Sequence, residues 1–316
     1  MKILITGVHG FVGSNLVEAL SKEHIIYGVD ILSPMKDGVR FTFSWDYVEK
    51  PGEIPEVDAI IHLAGKAHDT KNRSTAEVYF NVNTELTKKI YDYYLASPTA
   101  KKFIFFSSVK AAADRVEGDY VDENVTPNPV GPYGESKIAA ETAIMKNEEL
   151  RMKNGKEVYI LRPCMIHGPG NKGNLNLLYG VVKKGIPWPL GAFENKRTFT
   201  SIDNLCFIIK GLLTKEVESG IYNINDDEAV STNELIEIIC STMGKKAHIW
   251  RIPRGLMEGV AKIGGWLHLP LNPERLQKLT ENYVSSNVKI KKALGVVKLP
   301  VRAKDGLVKT IKSFNS

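Results

Sequence analysis

Cysteine is scarce: Cys164, Cys206 and Cys240 are the three thiols in 316 residues. They are odd in number, far apart and without metal-ligand spacing, so neither disulfide staples nor a bound metal is expected; reduced, buried thiols in a cytoplasmic protein are. No apolar run approaches the ~20 residues a bilayer span needs. Met1 leads straight into an apolar strand, which leaves no room for a signal peptide. Basic runs are missing too. The net charge of +6 comes from dispersed lysines, a solvated surface that mildly suits an anionic ligand and gives no groove for nucleic acid. Internal repeats and low-complexity tracts are absent. The most apolar late stretch, Leu256 to Leu271, has two readings, a face for a membrane or partner and a buried helix and turn; Gly264, Gly265 and Pro270, which break it, favour the second.

What is present begins at the first residues. Lys2 to Thr6 reads as a buried strand, Gly7, Gly10 and Gly13 follow with G-x-x-G-x-x-G spacing, and Leu16, Val17 and Leu20 carry a helical period. Ile25 to Val29 is a second strand, and Asp30 sits at its end. A strand, a glycine turn, a helix and a strand closed by an acid make a dinucleotide-binding βαβ unit. Glycines permit the tight turn and the close approach of a pyrophosphate, and the helix N-terminus offers its unpaired N–H groups. Asp30 accepts from both ribose hydroxyls and repels a 2′-phosphate, so NAD is favoured over NADP. The chain is long enough for one large or two modest domains with a substantial core.

Residues 31–56 are irregular, broken by Pro34, Pro51, Gly52 and Pro55, with Asp46 an exposed acid that could reach the adenine end of the cofactor. Val57 to Gly65 is a strand running into a glycine turn, so Leu63, Ala64 and Gly65 are expected at the cofactor cleft, where strand ends meet ligands in a doubly wound sheet. His62 and His68 flank that turn and read as structural. Ala76 to Leu95 has a helical pattern. Lys102 to Phe106 is another strand, ending in Ser107 and Ser108. Pro132 opens a helix on which Tyr133 and Lys137 lie one turn apart on the same face. A phenol titrates near ~10, too high for a base at neutrality. An ammonium and a positive nicotinamide ring beside it favour the phenolate, and reaching 7 takes roughly 3 units, about 4 kcal/mol. Ser108, at a strand end, can hold the substrate hydroxyl that loses its proton.

Taken together, Thr6-Gly7-x-x-Gly10-Phe11-x-Gly13, His62-Leu63-Ala64-Gly65, Asn81-Val82, Ser107-Ser108 and Tyr133-x-x-x-Lys137 resemble the extended short-chain dehydrogenase/reductases, and within them the NAD-dependent nucleotide-sugar epimerase/dehydratase group. The resemblance runs on through Leu161-Arg162-Pro163, Gly168-Pro169-Gly170, Asn195-x-Arg197, Asp203-Asn204-Leu205 and Leu294-Gly295. It implies an α/β fold: a Rossmann-type doubly wound parallel sheet in residues 1–167 and a smaller α/β substrate domain in 168–316, with about 198–215 packing back on the first.

The same resemblance implies that Tyr133 is the acid/base, Lys137 its electrostatic partner and a ribose contact, and Ser108 the hydroxyl holder, with Asn81 bracing the site. The NAD site it implies comprises Gly7, His9, Gly10, Phe11, Val12, Gly13, Asp30, Asp46, Leu63, Ala64, Gly65, Asn81, Ser107, Tyr133, Lys137 and Pro163. For a UDP-sugar substrate it points to Ser108, Asn174, Pro189 within Pro187 to Gly191, Arg197, Arg275 and Tyr283. A guanidinium at Arg197 offers a fixed fork of donors to diphosphate oxygens. A homodimer through the helix of Asn81 and the helix of Tyr133 is the group's usual assembly.

There are departures. Val109 and Lys110 stand where water-eliminating members carry Asp-Glu, which excludes 4,6-dehydration, and His167 replaces a tyrosine and reads as packing. Asp203-Asn204 is expected to cap the helix reaching Leu213, and Ser231 to Glu234 to open another. The expected activity is 4-epimerisation of a UDP-hexose or UDP-N-acetylhexosamine through a 4-keto intermediate. The alternatives are reduction of a 4-keto-6-deoxy nucleotide sugar and non-catalytic NAD binding.

Overall fold

The computed structural model describes all residues except 51, 68–73, 172, 268–270 and 315–316, so Pro51, His68 and Pro270 lie outside the described residues. Among the described residues nine short strands follow in order: β1 (Lys2–Thr6), β2 (Ile25–Val29), β3 (Phe41–Phe43), β4 (Ala59–His62), β5 (Lys102–Phe106), β6 (Glu157–Pro163), β7 (Met165–His167), β8 (Phe199–Ser201) and β9 (Gly220–Ile224). Seven form one parallel sheet in the order β3-β2-β1-β4-β5-β6-β9, the doubly wound α/β arrangement expected. The order reverses between β1 and β4, and the crevice at their carboxyl ends is where such sheets take ligands.

Both faces of the sheet are covered, which is why its strands read as nearly unbroken apolar runs. Side chains alternate across it. Ile3, Ile5, Ile61, Ile104 and Leu161 pack against helices Phe11–Leu20 and Ile202–Thr214. Leu4, Ile60, Phe103, Phe105 and Ile160 pack against helices Leu86–Ala96 and Pro132–Met145. His62 is buried in β4 as a structural residue. Its Nδ1 lies 2.6 Å from Thr6 Oγ1 and its Nε2 2.8 Å from Thr87 Oγ1. Burial holds the imidazole well below its ordinary pKa, hence neutral.

The helix expected over Ala76 to Leu95 is Ala76–Phe80 and Leu86–Ala96 joined by a wider π-type turn at Asn81–Glu85. The cap of Ile202–Thr214 is Ser201, whose hydroxyl accepts from Asn204 N–H, and not Asp203-Asn204. Asn204 instead donates to Asp226 and Val301 O, which pins the helix from its side. Ser231 and Glu234 do form the expected capping box.

β7 and β8 pair beside a second core built from helices Asn174–Lys183, Thr232–Thr242 and Ala303–Ser313. His167 is buried there, 2.9 Å from Thr310 Oγ1. The late apolar stretch is helical over Arg254–Trp266. It is not buried as expected: Met257, Ala261 and Gly264 turn inward, while Leu256, Val260, Ile263 and Trp266 face water. Among the described residues no helix is long and apolar enough to cross a membrane.

Candidate active site

The cofactor end is a turn closed by its own backbone. Gly7 adopts φ 70°, the left-handed region that favours glycine. A Cβ on Gly13 would lie 2.3 Å from Gly7 O and 2.9 Å from the Val8 backbone. No side chain fits, so helix Phe11–Leu20 begins directly over the end of β1 with its free N–H groups at the crevice. Asp30 closes the other side, Oδ2 accepting from His9 N–H at 2.9 Å and Oδ1 from Ile31 N–H at 2.7 Å. Beyond β4, Ala64 N–H donates to Thr6 Oγ1 at 3.1 Å, which holds Leu63 to Gly65 against this turn. A turn in which Gly7 takes a left-handed φ and no Cβ fits at Gly13, ending in a carboxylate, fits a dinucleotide such as NAD. Asp46 lies farther out, exposed in the turn Trp45–Tyr47.

The chemistry sits one strand over. A cavity of about 370 Å³ opens beside the ends of β4, β5 and β6. Of the residues read from the sequence, Phe11, Val12, Leu63, Gly65, Ser107, Ser108, Tyr133, Lys137, Pro163, Asn174, Arg197 and Tyr283 line it. Gly7, His9, Gly10, Gly13, Asp30 and Ala64 belong to the adjoining turn, while Asp46, Asn81, Pro189 and Arg275 do not reach the cavity wall. Pro189 follows Trp188, which is tied by backbone bonds to His248 and Trp250. Arg275 is exposed in the first turn of helix Pro273–Thr280.

Ser108 lies two residues beyond β5 and caps the short helix Val109–Ala112 through Lys110 N–H. Its hydroxyl also faces the Tyr133 phenol, whose pKa it holds down in part. Lys137, only 5 % exposed, donates from Nζ to Phe106 O at 2.8 Å and lies 5.1 Å from the Phe105 ring. The phenol differs from the sequence expectation. Burial raises the Tyr133 pKa above its ordinary value, Ser108 offsets this in part, and Tyr79 adds to the rise. Burial also lowers Lys137 to about 8. The ammonium's hydrogen bond goes to the strand carbonyl, so in the protein alone the phenol stays protonated.

Three residues of the site gave no signal of their own. Glu141, two turns beyond Tyr133 on the same helix, is fully buried, accepts from Ser107 Oγ, and takes a two-pronged bond from Arg162 (Nε 3.0 Å, Nη2 2.6 Å). This ion pair lies directly behind Ser107 and orients it away from the role of substrate holder. Bracing falls to Asn83 and not Asn81: Asn83 accepts from Lys66 N–H at 2.7 Å and donates to Lys66 O at 3.1 Å and Ser136 Oγ at 2.9 Å. Asn81 is exposed.

At the far end Arg197 donates from Nη1 to Lys278 O at 3.1 Å. The Tyr283 ring forms wall, while its hydroxyl donates to Ala113 O at 2.7 Å and fastens the segment after Ser108. Lys110 Nζ sits 4.4 Å over that ring. Asn171 also lines the cavity, with a buried Nδ2 that has no partner among the described residues. Lys110, Lys137 and Arg197 are the charged lining among the described residues, and no carboxylate joins them. A cavity of that polarity attracts a polyanion.

A model of the NAD dependent epimerase/dehydratase family matches residues 3–225. The UDP-glucose 4-epimerase of Vibrio cholerae is 32% identical over 266 residues, which cover 79% of this chain and 78% of that protein. The GDP-6-deoxy-D-talose 4-dehydrogenase of Aggregatibacter actinomycetemcomitans is 26% identical over 251 residues, 76% of this chain and 79% of that one. A solved UDP-glucose 4-epimerase from Thermotoga maritima, crystallised with UDP-glucose, superposes with a TM-score of 0.75 at 21% identity, covering 100% of this chain and 99% of its own.

Proposed function

Because the chain belongs to the NAD dependent epimerase/dehydratase family, we propose that it is an NAD-dependent 4-epimerase of a UDP-hexose or UDP-N-acetylhexosamine. The observation that carries this is the cavity that gathers Ser108, Tyr133 and Lys137 beside the glycine cradle, with three cations and no carboxylate. The turn of Gly7 and Gly13 and the Asp30 carboxylate would hold NAD, which would supply a hydride acceptor and donor at C4. Ser108 holds the 4-hydroxyl, Tyr133 accepts its proton and later gives it back, and a cation brought beside the phenol would offset the rise that burial causes. Lys137 is the cation one helical turn away. Arg197 and Asn174 engage the diphosphate, with Tyr283 as wall. Glu141 and Arg162 hold Ser107, and Ser107 in turn fixes the end of β5.

A second reading is favoured by the protonated resting phenol. A proton donor suits reduction of a 4-keto-6-deoxy nucleotide sugar, and the same side chains would serve with the cofactor exchanging each turnover. One assay separates the two. An epimerase converts UDP-glucose or UDP-N-acetylglucosamine without added reductant, whereas a reductase consumes NADH only when a 4-keto sugar is present. Tyr133→Phe is expected to lower whichever rate is found by about 10²–10⁴-fold; an unchanged rate refutes the assignment. The assembly we propose is a homodimer pairing helices Leu86–Ala96 and Pro132–Met145 with their copies. A monomer in sedimentation velocity refutes it.

A further inference from the structure

We propose that the outward face of helix Arg254–Trp266 is a docking surface for an anionic phospholipid bilayer. Leu256, Val260, Ile263 and Leu267 recur at i, i+4, i+7 and i+11, which puts them in one stripe along the helix and the residue that ends it. All four are more than half exposed, and Trp266 beside them is 81% exposed. The stripe is not a frayed end. On its other side the helix is fixed by Met257 and Ala261, which pack with Leu190 and Leu276. The fold therefore displays an ordered apolar face to solvent, an arrangement that soluble surfaces ordinarily avoid.

Charge identifies the occupant. Residues 245–278 carry seven lysines and arginines against two glutamates, so this stretch holds a net +5 of the chain's +6. Lys245, Lys246, Arg251, Arg254 and Lys262 have no carboxylate partner among the described residues. A second copy of the chain on this face would set like charges against each other. The stripe lies on the convex side of a helix, which fits a flat, deformable surface. An apolar stripe with a tryptophan at its margin, in a stretch of net positive charge, is the composition of helices that lie in the plane of a bilayer interface, and anionic headgroups complement the charge. The helix packs on Pro273–Thr280, whose Lys278 carbonyl receives Arg197 from the cavity wall. Docking in this way places the diphosphate end of the cavity near the membrane.

The test needs no substrate, so it stands apart from the assigned activity. Purified protein is sedimented with vesicles of phosphatidylcholine alone or with about one-third phosphatidylglycerol, at low and high salt. Expected is partition into the anionic vesicles at low salt, at least about tenfold weaker without anionic lipid and about tenfold weaker for Val260→Glu/Ile263→Glu. The double variant should keep the wild-type melting temperature, since both side chains face water. Equal partition of variant and wild type, equal partition into both vesicle types, or no partition at low salt overturns the proposal. So does an oligomer that the double variant dissolves, because the face is then an interface between copies.

Discussion

Lys137→Met is the sharpest test of how the site is held, because it should make the protein more stable while disabling it. The Lys137 ammonium is buried, and its pKa falls from 10.5 to about 8. The charged form is thus about 3 kcal/mol less favourable in the fold than in the unfolded chain. Methionine fills a similar volume without charge and loses the Nζ bond to Phe106 O, worth about 1 kcal/mol. The net expectation at pH 7 is a gain of about 2 kcal/mol, a rise of a few degrees in melting temperature. The sign with pH follows from the lowered pKa. Between about 8 and 10.5 the unfolded lysine holds a proton that the folded one has released, so wild-type stability climbs with pH relative to the variant. The variant's lead should vanish by about pH 10. Urea unfolding of both proteins at pH 7 and pH 10 measures it, and turnover should fall at least about 10²-fold. A variant less stable at pH 7, or a difference that does not change with pH, refutes the account of a strained, functional cation.

Two further substitutions probe the other parts of the site. Gly13→Ala places a methyl 2.3 Å from Gly7 O, a backbone atom that cannot swing aside; NAD affinity by titration calorimetry should drop more than about tenfold, with a loss of about 1–3 kcal/mol in stability. Affinity within twofold of wild type would disprove the tight cradle. Glu141→Leu leaves the Arg162 guanidinium buried without its carboxylate, and denaturant unfolding should show a loss of about 3–5 kcal/mol. A loss under about 1 kcal/mol would mean the pair is not the keystone behind Ser107.

The parts of the site that could be read from the sequence are those set by local geometry. Glycines at 7, 10 and 13 and the one-turn spacing of Tyr133 and Lys137 constrain their neighbours whatever surrounds them. What escaped reading depends on tertiary context. Asn83 replaces Asn81 because the wider π-type turn at Asn81–Glu85 departs from the regular helical period and changes which residue faces Lys66 and Ser136. Ser201 replaces Asp203-Asn204 as a cap because the helix starts at Ile202, directly after β8. Glu141 resembled any surface glutamate on a helix until Arg162, 21 residues away, was seen opposite it. The phenol's raised pKa was hidden for the same reason, since burial is a property of the packed chain. Helix Arg254–Trp266 was found where its hydrophobicity placed it, but apolar periodicity does not say which side of a helix the core will take.

One feature of the sheet bears on how the protein can be taken apart. β9 arrives from beyond residue 219 to pair with β6, and Ile202–Thr214 covers the same sheet's face. A fragment stopping near residue 167 would leave β6 as a bare edge and expose Ile104, Tyr159 and Leu161, inviting strand addition between molecules. The two halves are therefore threaded through one another. They should melt in a single transition, and neither should be obtainable as a well-behaved piece by proteolysis or truncation.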